Sequence, residues 1–166
     1  VEMASWGTNV YVKIPITNTA GISSAPLVGR LAAAGVQVNI TAVFTEKQVE
    51  HLVPYLSPDC PCFISIFAGR IADTGVDPMP IVAGSLTLVE SLPHCELIWA
   101  SPRELLNIIQ ADTLGCHVIT ATSDLLDKLN SIGLSLDEFS LDTVRMFRKD
   151  AVEAGYRIDL QHTANK

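Results

Sequence analysis

Five short β-branched apolar runs, each followed by sequence that forms helix, constrain this chain more than any other feature. They cover residues 10–14, 36–43, 62–67, 96–100 and 117–121, and each is nearly continuously apolar. Strands buried on both faces read this way. Between them, Ser24 and Pro26 open a helix that Gly35 closes, and Thr45 with Gln48 forms a capping box for a helix from Glu46 to about Leu56. Ser101, Pro102 and Glu104 repeat that pattern for a helix to about Leu114, stopped by Gly115. A last helix, from about Leu136 to Ala154, ends at Gly155 and carries Phe139, Val144, Phe147 and Ala151 near helical spacing. It is expected to pack back on the domain or on a neighbouring subunit.

Alternating strand and helix imply an α/β fold with a parallel sheet and right-handed crossovers, either an open doubly wound sheet or a (β/α) barrel. No Gly-x-Gly-x-x-Gly follows a strand and no Gly-Lys-Ser/Thr occurs, so the nucleotide-binding versions lose support and the barrel gains. A complete (β/α)8 TIM-type barrel takes about 250 residues. This chain has 166, enough for one domain over residues 1–166 with about five βα units and a C-terminal helix. The barrel is therefore incomplete. Residues 1–7 read as the last turn of a helix whose beginning is absent, with no signal-peptide features.

A net charge of −7 and the lack of any Lys/Arg cluster exclude tracking of a phosphate backbone, so nucleic acid is not expected as a partner. The apolar runs are far shorter than the roughly 20 residues of a membrane span, so no membrane association is expected either. Cys60, Cys62, Cys95 and Cys116 are irregularly spaced in a chain with its own core, which argues against a disulfide framework and for a reducing cytoplasm. Cys60-Pro61-Cys62 has no accompanying Cys/His pair at zinc-ligand spacing, so no metal is expected. His117, at the start of the fifth strand, reads as a packing or capping residue, while His51, His94 and His162 fall on helix, loop and tail with no nucleophile nearby in sequence.

Lys13 lies within the first apolar run, and after Glu2 no acidic residue precedes it nearby. Burial would push its pKa down and leave more of the neutral amine that attacks carbonyls. A strand-end lysine that extends its ammonium to solvent is the alternative from position alone. Counting by two at the carboxyl ends of the other runs gives Asn39 and Thr41, Ser65 and Phe67, Trp99 and Ser101, and Thr120 and Thr122. Small hydroxyl and amide groups thus recur where a barrel holds its active site, although Thr and Ser also mark strand ends and helix caps.

The segments VYVKIP (10–15), VNITAVFT (38–45), SIFAGRIAD (65–73) and ASPR (100–103) resemble, in order and spacing, the successive barrel-strand motifs of the transaldolase family. That family comprises class I aldolases on a (β/α)8 barrel, including transaldolases and fructose-6-phosphate aldolases. The resemblance implies that Lys13 is the Schiff-base lysine and that Thr41 positions a catalytic water. It implies that Asn39 and Ser101 hold substrate hydroxyls, with Ser65 and Phe67 alongside in the substrate site. Arg70, in a Gly-rich loop, and Arg103, in the first turn of a helix, would bind the phosphate of a sugar phosphate such as fructose 6-phosphate. Either arginine could instead pair at the surface with Asp73, Asp77 or Glu104. Phe67 stands where transaldolases usually carry Phe and the fructose-6-phosphate aldolases Tyr, which favours transfer of a dihydroxyacetone unit, with no metal or organic cofactor.

By the same alignment the family's first three strands lie upstream of Val1, together with the acid that assists carbon–carbon cleavage. Five strands leave two open edges, so association into a homo-oligomer is expected. The alternatives are a catalytically incomplete barrel fragment that oligomerises and at most binds sugar phosphate, or a fructose-6-phosphate aldolase.

Overall fold

A computed structural model describes residues 1–157, so His162 lies outside the described residues. The described chain divides into two compact units, Val1–Asp127 and a second from Lys128 onward.

The first unit is built on a five-stranded, wholly parallel sheet whose strands follow one another in sequence order. The strands are β1 (Val12–Pro15), β2 (Val38–Val43), β3 (Cys62–Ile66), β4 (Cys95–Trp99) and β5 (Val118–Ile119). Helices α1 (Ala25–Ala33), α2 (Glu46–Leu52), α3 (Ala68–Ala72), α4 (Met79–Val89), α5 (Leu106–Thr113) and α6 (Ser123–Leu126) alternate with them. A short 3-10 turn, Met3–Trp6, precedes β1. This strand–helix alternation with sequential parallel neighbours is that of an incomplete (β/α) barrel.

Register explains where the core sits. Val12, Val38, Cys62 and Cys95 pair across four strands, as do Ile14, Ile40, Ile64 and Leu97, and all of them are buried. Their side chains share the helix-covered face with Val28, Val49, Leu52 and Val82. Each fully buried Val, Leu or Ile contributes about 1.5–3 kcal/mol of transfer free energy. The opposite face is more open: Lys13, Pro15 and Glu96 are exposed, and Tyr11, Asn39 and Phe63 are half-buried. The sequence expectation of strands covered on both faces is therefore met on one face only.

Helix starts follow the local chemistry in one case and depart from it in two. At α2 the capping box forms, with Gln48 N donating to Thr45 Oγ1 at 3.3 Å and Thr45 N to Gln48 Oε1 at 3.1 Å. At α1 the Pro26 signal holds, but the Ser24 side chain makes no cap bond. The third cap does not form: α5 begins at Leu106, and Ser101 lies outside it in a left-handed conformation, φ +61°. Gly35 and Gly115 end α1 and α5 with φ of +70° each, a conformation that costs glycine nothing.

In the second unit, α7 (Leu136–Glu153) occupies the span expected from sequence. Ser135 caps it by accepting from Glu138 N, and Gly155 follows with φ +72°. Arg145–Asp142 and Lys149–Glu153 pair along its surface.

Candidate active site

Parallel pairing sets Lys13 beside Asn39 and, two residues on, Pro15 beside Thr41. Since side chains alternate along each strand, Lys13, Asn39 and Thr41 project from the same, more open face. Ser65, two residues beyond the Asn39 partner Phe63, joins them, and its hydroxyl donates to Asn39 Oδ1 at 2.8 Å. An amine, a half-buried amide and a buried hydroxyl thus share one face of three adjacent strands. The expectation of a buried lysine is not met, because Lys13 is exposed on the face that no core layer covers.

Thr41 is 8% exposed, and its Oγ1 has no hydrogen-bond partner. An unpaired buried hydroxyl costs about 1–3 kcal/mol. Its neighbour Ala42 has φ +58°, a left-handed conformation that a residue with a Cβ seldom adopts, and the β2–β3 register shifts between Ile40 and Val43. The bulge brings Val43 opposite Ile66 on the core face while Thr41 keeps to the Lys13 side. No sequence signal marks it.

Trp99 departs from the count by two. Ser65 pairs with Ile98, and Trp99 pairs with Ile66, so Trp99 belongs to the opposite, helix-covered face, where it is fully buried with Nε1 unpartnered. Ser101, two residues on, is turned by its left-handed backbone, and its amide donates to Thr120 Oγ1 at 3.2 Å. Thr120 thereby serves as an acceptor for the loop after β4.

The two arginines leave from one joint. Arg70 lies on the single-turn helix α3 rather than in a loop, with its guanidinium carbon 5.2 Å from the centre of the Phe67 ring. Phe67 in turn packs on Phe44, ring centres 5.8 Å apart. Between them, Gly69 N donates to Ala100 O at 3.3 Å, and the Ser101 carbonyl lies where a Cβ on Gly69 would be, 1.5 Å from its ideal position. Only glycine permits this approach. The same position is 3.3 Å from Arg103 Cγ, so the Arg103 stem crosses Gly69 next to Arg70.

Arg103 stands in the loop before α5, not in a helical first turn. Its Nη2 pairs with Asp73 Oδ2 at 2.5 Å, both side chains half exposed. The amides of Arg103 and Glu104 donate to Asn107 Oδ1 at 2.7 and 3.2 Å. Asn107 is buried and holds this loop, a role that sequence reading missed. Arg70 and Arg103 therefore lie together, with Arg103 already paired by one carboxylate.

Of the remaining candidates, His117 behaves as a capping residue, its Nδ1 accepting from Leu97 N at 3.1 Å. His51 packs on Tyr55, and His94 O accepts from Cys62 N at 2.9 Å. All four cysteines are free. Among the described residues no group of His, Cys, Asp and Glu could hold a metal ion, and no helix is long and apolar enough to cross a membrane.

Residues 1–163 match the family described as Transaldolase/Fructose-6-phosphate aldolase, nearly the whole sequence. The chain belongs to the transaldolase/fructose-6-phosphate aldolase family. Relatives include proteins named probable transaldolase from Nitrosopumilus maritimus (strain SCM1), 29% identical over 134 residues, and from Streptococcus equi subsp. zooepidemicus (strain MGCS10565), 30% identical over 133 residues. A protein named probable transaldolase 2 from Listeria monocytogenes serovar 1/2a (strain ATCC BAA-679 / EGD-e) is 31% identical over 132 residues. These alignments cover 76–77% of this chain and 55–56% of the relatives. The chain thus spans about half the length of the curated family members it matches.

Proposed function

We propose that this chain carries the imine-forming part of a class I transaldolase site, acting on sugar phosphates such as fructose 6-phosphate. The observation that carries the reading is the placing of Lys13, Asn39, Thr41 and Ser65 on one face of three adjacent strands, with the Thr41 hydroxyl buried and unpartnered. In this reading the Lys13 amine adds to the ketone carbon of the sugar, and loss of water gives the imine. The imine withdraws electrons as the carbon–carbon bond breaks, leaving a three-carbon enamine on Lys13 that an acceptor aldehyde takes up. Thr41 Oγ1 holds the water that leaves and returns at the imine carbon. The Ser65–Asn39 hydrogen bond fixes the Asn39 amide, so that its NH2 group is presented to a substrate hydroxyl.

Arg70 and Arg103 take the phosphate at the joint between α3 and the loop before α5. A dianionic phosphate offers Arg103 more acceptors than the single carboxylate of Asp73 does. Phe67, whose ring centre lies 5.2 Å from the Arg70 guanidinium carbon, lines the route between amine and phosphate with Ser101. Action without a metal or organic cofactor, in a cytoplasmic setting, is part of this reading. Homo-oligomer formation through the open edges of β1 and β5 belongs to the same proposal.

A second reading has a specific observation in its favour: Lys13 is exposed rather than buried among apolar side chains, so the covered setting expected for imine chemistry is not found in this chain. Under that reading the chain binds sugar phosphate through Arg70 and Arg103 without turnover. Borohydride reduction with fructose 6-phosphate, followed by peptide mass analysis, separates the two. A three-carbon or six-carbon adduct on the Lys13 peptide, lost in Lys13→Arg, supports imine chemistry. An unmodified Lys13 peptide alongside retained fructose 6-phosphate binding leaves only the binding reading.

A further inference from the structure

β3 and β4 start side by side, and both start with cysteine: Cys62 and Cys95 are register partners on adjacent parallel strands. Partners in register project to the same face, and here it is the covered one, where the two residues are 4% and 6% exposed. The two side chains are therefore neighbours, close enough that each thiol shifts the other's titration. The other two cysteines are engaged elsewhere. Cys60 Sγ donates to the Val36 carbonyl at 3.4 Å, and Cys116 Sγ lies 3.5 Å from Leu97 O and 3.6 Å from Val118 O.

Adjacent strands lie about 4.8 Å apart, inside the roughly 4.4–6.8 Å that separates the Cα atoms of a disulfide. A surface cleft of about 470 Å³ on the helix side is lined by Cys95 with Glu90, Glu96 and His117. A second, of about 220 Å³, is lined by Cys62 with Tyr11, Phe63 and Glu96 and opens on the other face of the sheet. Both lie at the amino ends of the strands, away from the carboxyl ends where Thr41, Ser101 and the arginines gather.

We propose that Cys62 and Cys95 are a dithiol/disulfide couple, a modification site at the amino end of the sheet that takes a small hydroperoxide as its oxidant. The division of labour follows from the neighbouring of the two thiols: Cys95 draws the Cys62 thiol below its ordinary value against the opposing effect of burial, while Cys62 raises that of Cys95. Cys62 is the attacking sulfur. Its thiolate displaces at one peroxide oxygen, the O–O bond breaks, and the leaving hydroxide or alkoxide takes a proton, giving a sulfenic acid on Cys62. Cys95 then attacks the Cys62 sulfur, the S–O bond breaks, and hydroxide leaves with the Cys95 proton as water. Two thiols lose one electron pair between them and one peroxide gains it, so hydrogen peroxide yields two waters.

The test treats the folded protein with hydrogen peroxide, quenches it, alkylates under denaturing conditions and maps the tryptic peptides. The expected result is a mass lower by two hydrogen atoms, alkylation at two of the four cysteines, Cys60 and Cys116, and a cross-link whose fragments at Pro61 assign it to Cys62 and Cys95. In Cys95→Ser, sulfenic acid accumulates at Cys62 and is captured by dimedone. Four alkylated thiols after treatment, or a cross-link that includes Cys60 or Cys116, overturns the proposal. Thioredoxin with its reductase should return the treated protein to four thiols, and failure to do so with the cross-link intact also counts against a reversible couple.

Discussion

Gly69→Ala tests the joint that brings the two arginines together. The added Cβ would lie 1.5 Å from the Ser101 carbonyl oxygen and 2.7 Å from its carbon. Ordinary contact needs well over 3 Å, so either α3 or the loop after β4 must move by about 2 Å. Neither moves freely: Ser101 is held by the hydrogen bond from its amide to Thr120 Oγ1 and by a left-handed backbone, and Ala100 N donates to Ile66 O at 2.8 Å. Overpacking of this kind costs about 1–3 kcal/mol, and loss of the Gly69–Ala100 hydrogen bond adds about 0.5–1.5 kcal/mol. The expected destabilisation is therefore about 2–4 kcal/mol. With a urea m-value near 2 kcal/mol/M, the unfolding midpoint falls by about 1–2 M. Fluorescence of Trp99, buried on the core face, follows the transition, and Gly35→Ala is the control, since a Cβ there meets nothing within 4 Å and the φ of +70° alone costs about 1–2 kcal/mol. A Gly69→Ala protein with the midpoint of the parent would refute the close approach of Ser101 to α3.

Thr41→Val replaces an unpartnered buried hydroxyl by a methyl of the same shape, so stability should be unchanged or rise by about 1 kcal/mol in urea unfolding, while imine formation in the borohydride assay slows. A clear loss of stability would mean that the hydroxyl has a partner. Asn107→Ala strips the acceptor from the amides of Arg103 and Glu104 and should cost about 1–3 kcal/mol by the same measurement. Asp73→Asn removes one charge of a half-exposed pair and should change stability by less than about 1 kcal/mol, yet tighten fructose 6-phosphate binding in calorimetry by freeing Arg103. Unchanged affinity would place Arg103 outside the phosphate site.

The strands and most helices were legible because they rest on local grammar. The Thr45/Gln48 box, Pro26, Gly35 and Gly115 each act within a few residues, and the structure uses all of them at the ends of α1, α2 and α5. The same grammar misled at Ser101, whose Pro102 and Glu104 imitate a capping box. A contact remote in sequence, the Gly69 backbone against the Ser101 carbonyl, sets that loop instead. Counting by two placed Lys13, Asn39, Thr41 and Ser65 together correctly, since alternation holds along a regular strand. It failed at Trp99, where the strand's phase puts the indole on the other face. Nothing in the residues around Ala42 announces a left-handed alanine, and nothing near Arg103 announces that Asn107 takes up the amides ahead of it. Those features come from tertiary fit, which the pattern of one chain does not record.

Each strand of this sheet has as its neighbours only the strands just before and just after it in the chain. During synthesis, every newly emerged βα unit can therefore dock on a ledge that already exists, and no segment has to wait for a distant partner or slip between two finished ones. The assembly grows like a staircase, one tread at a time, and a gain or loss of treads at either end leaves the remaining steps in register.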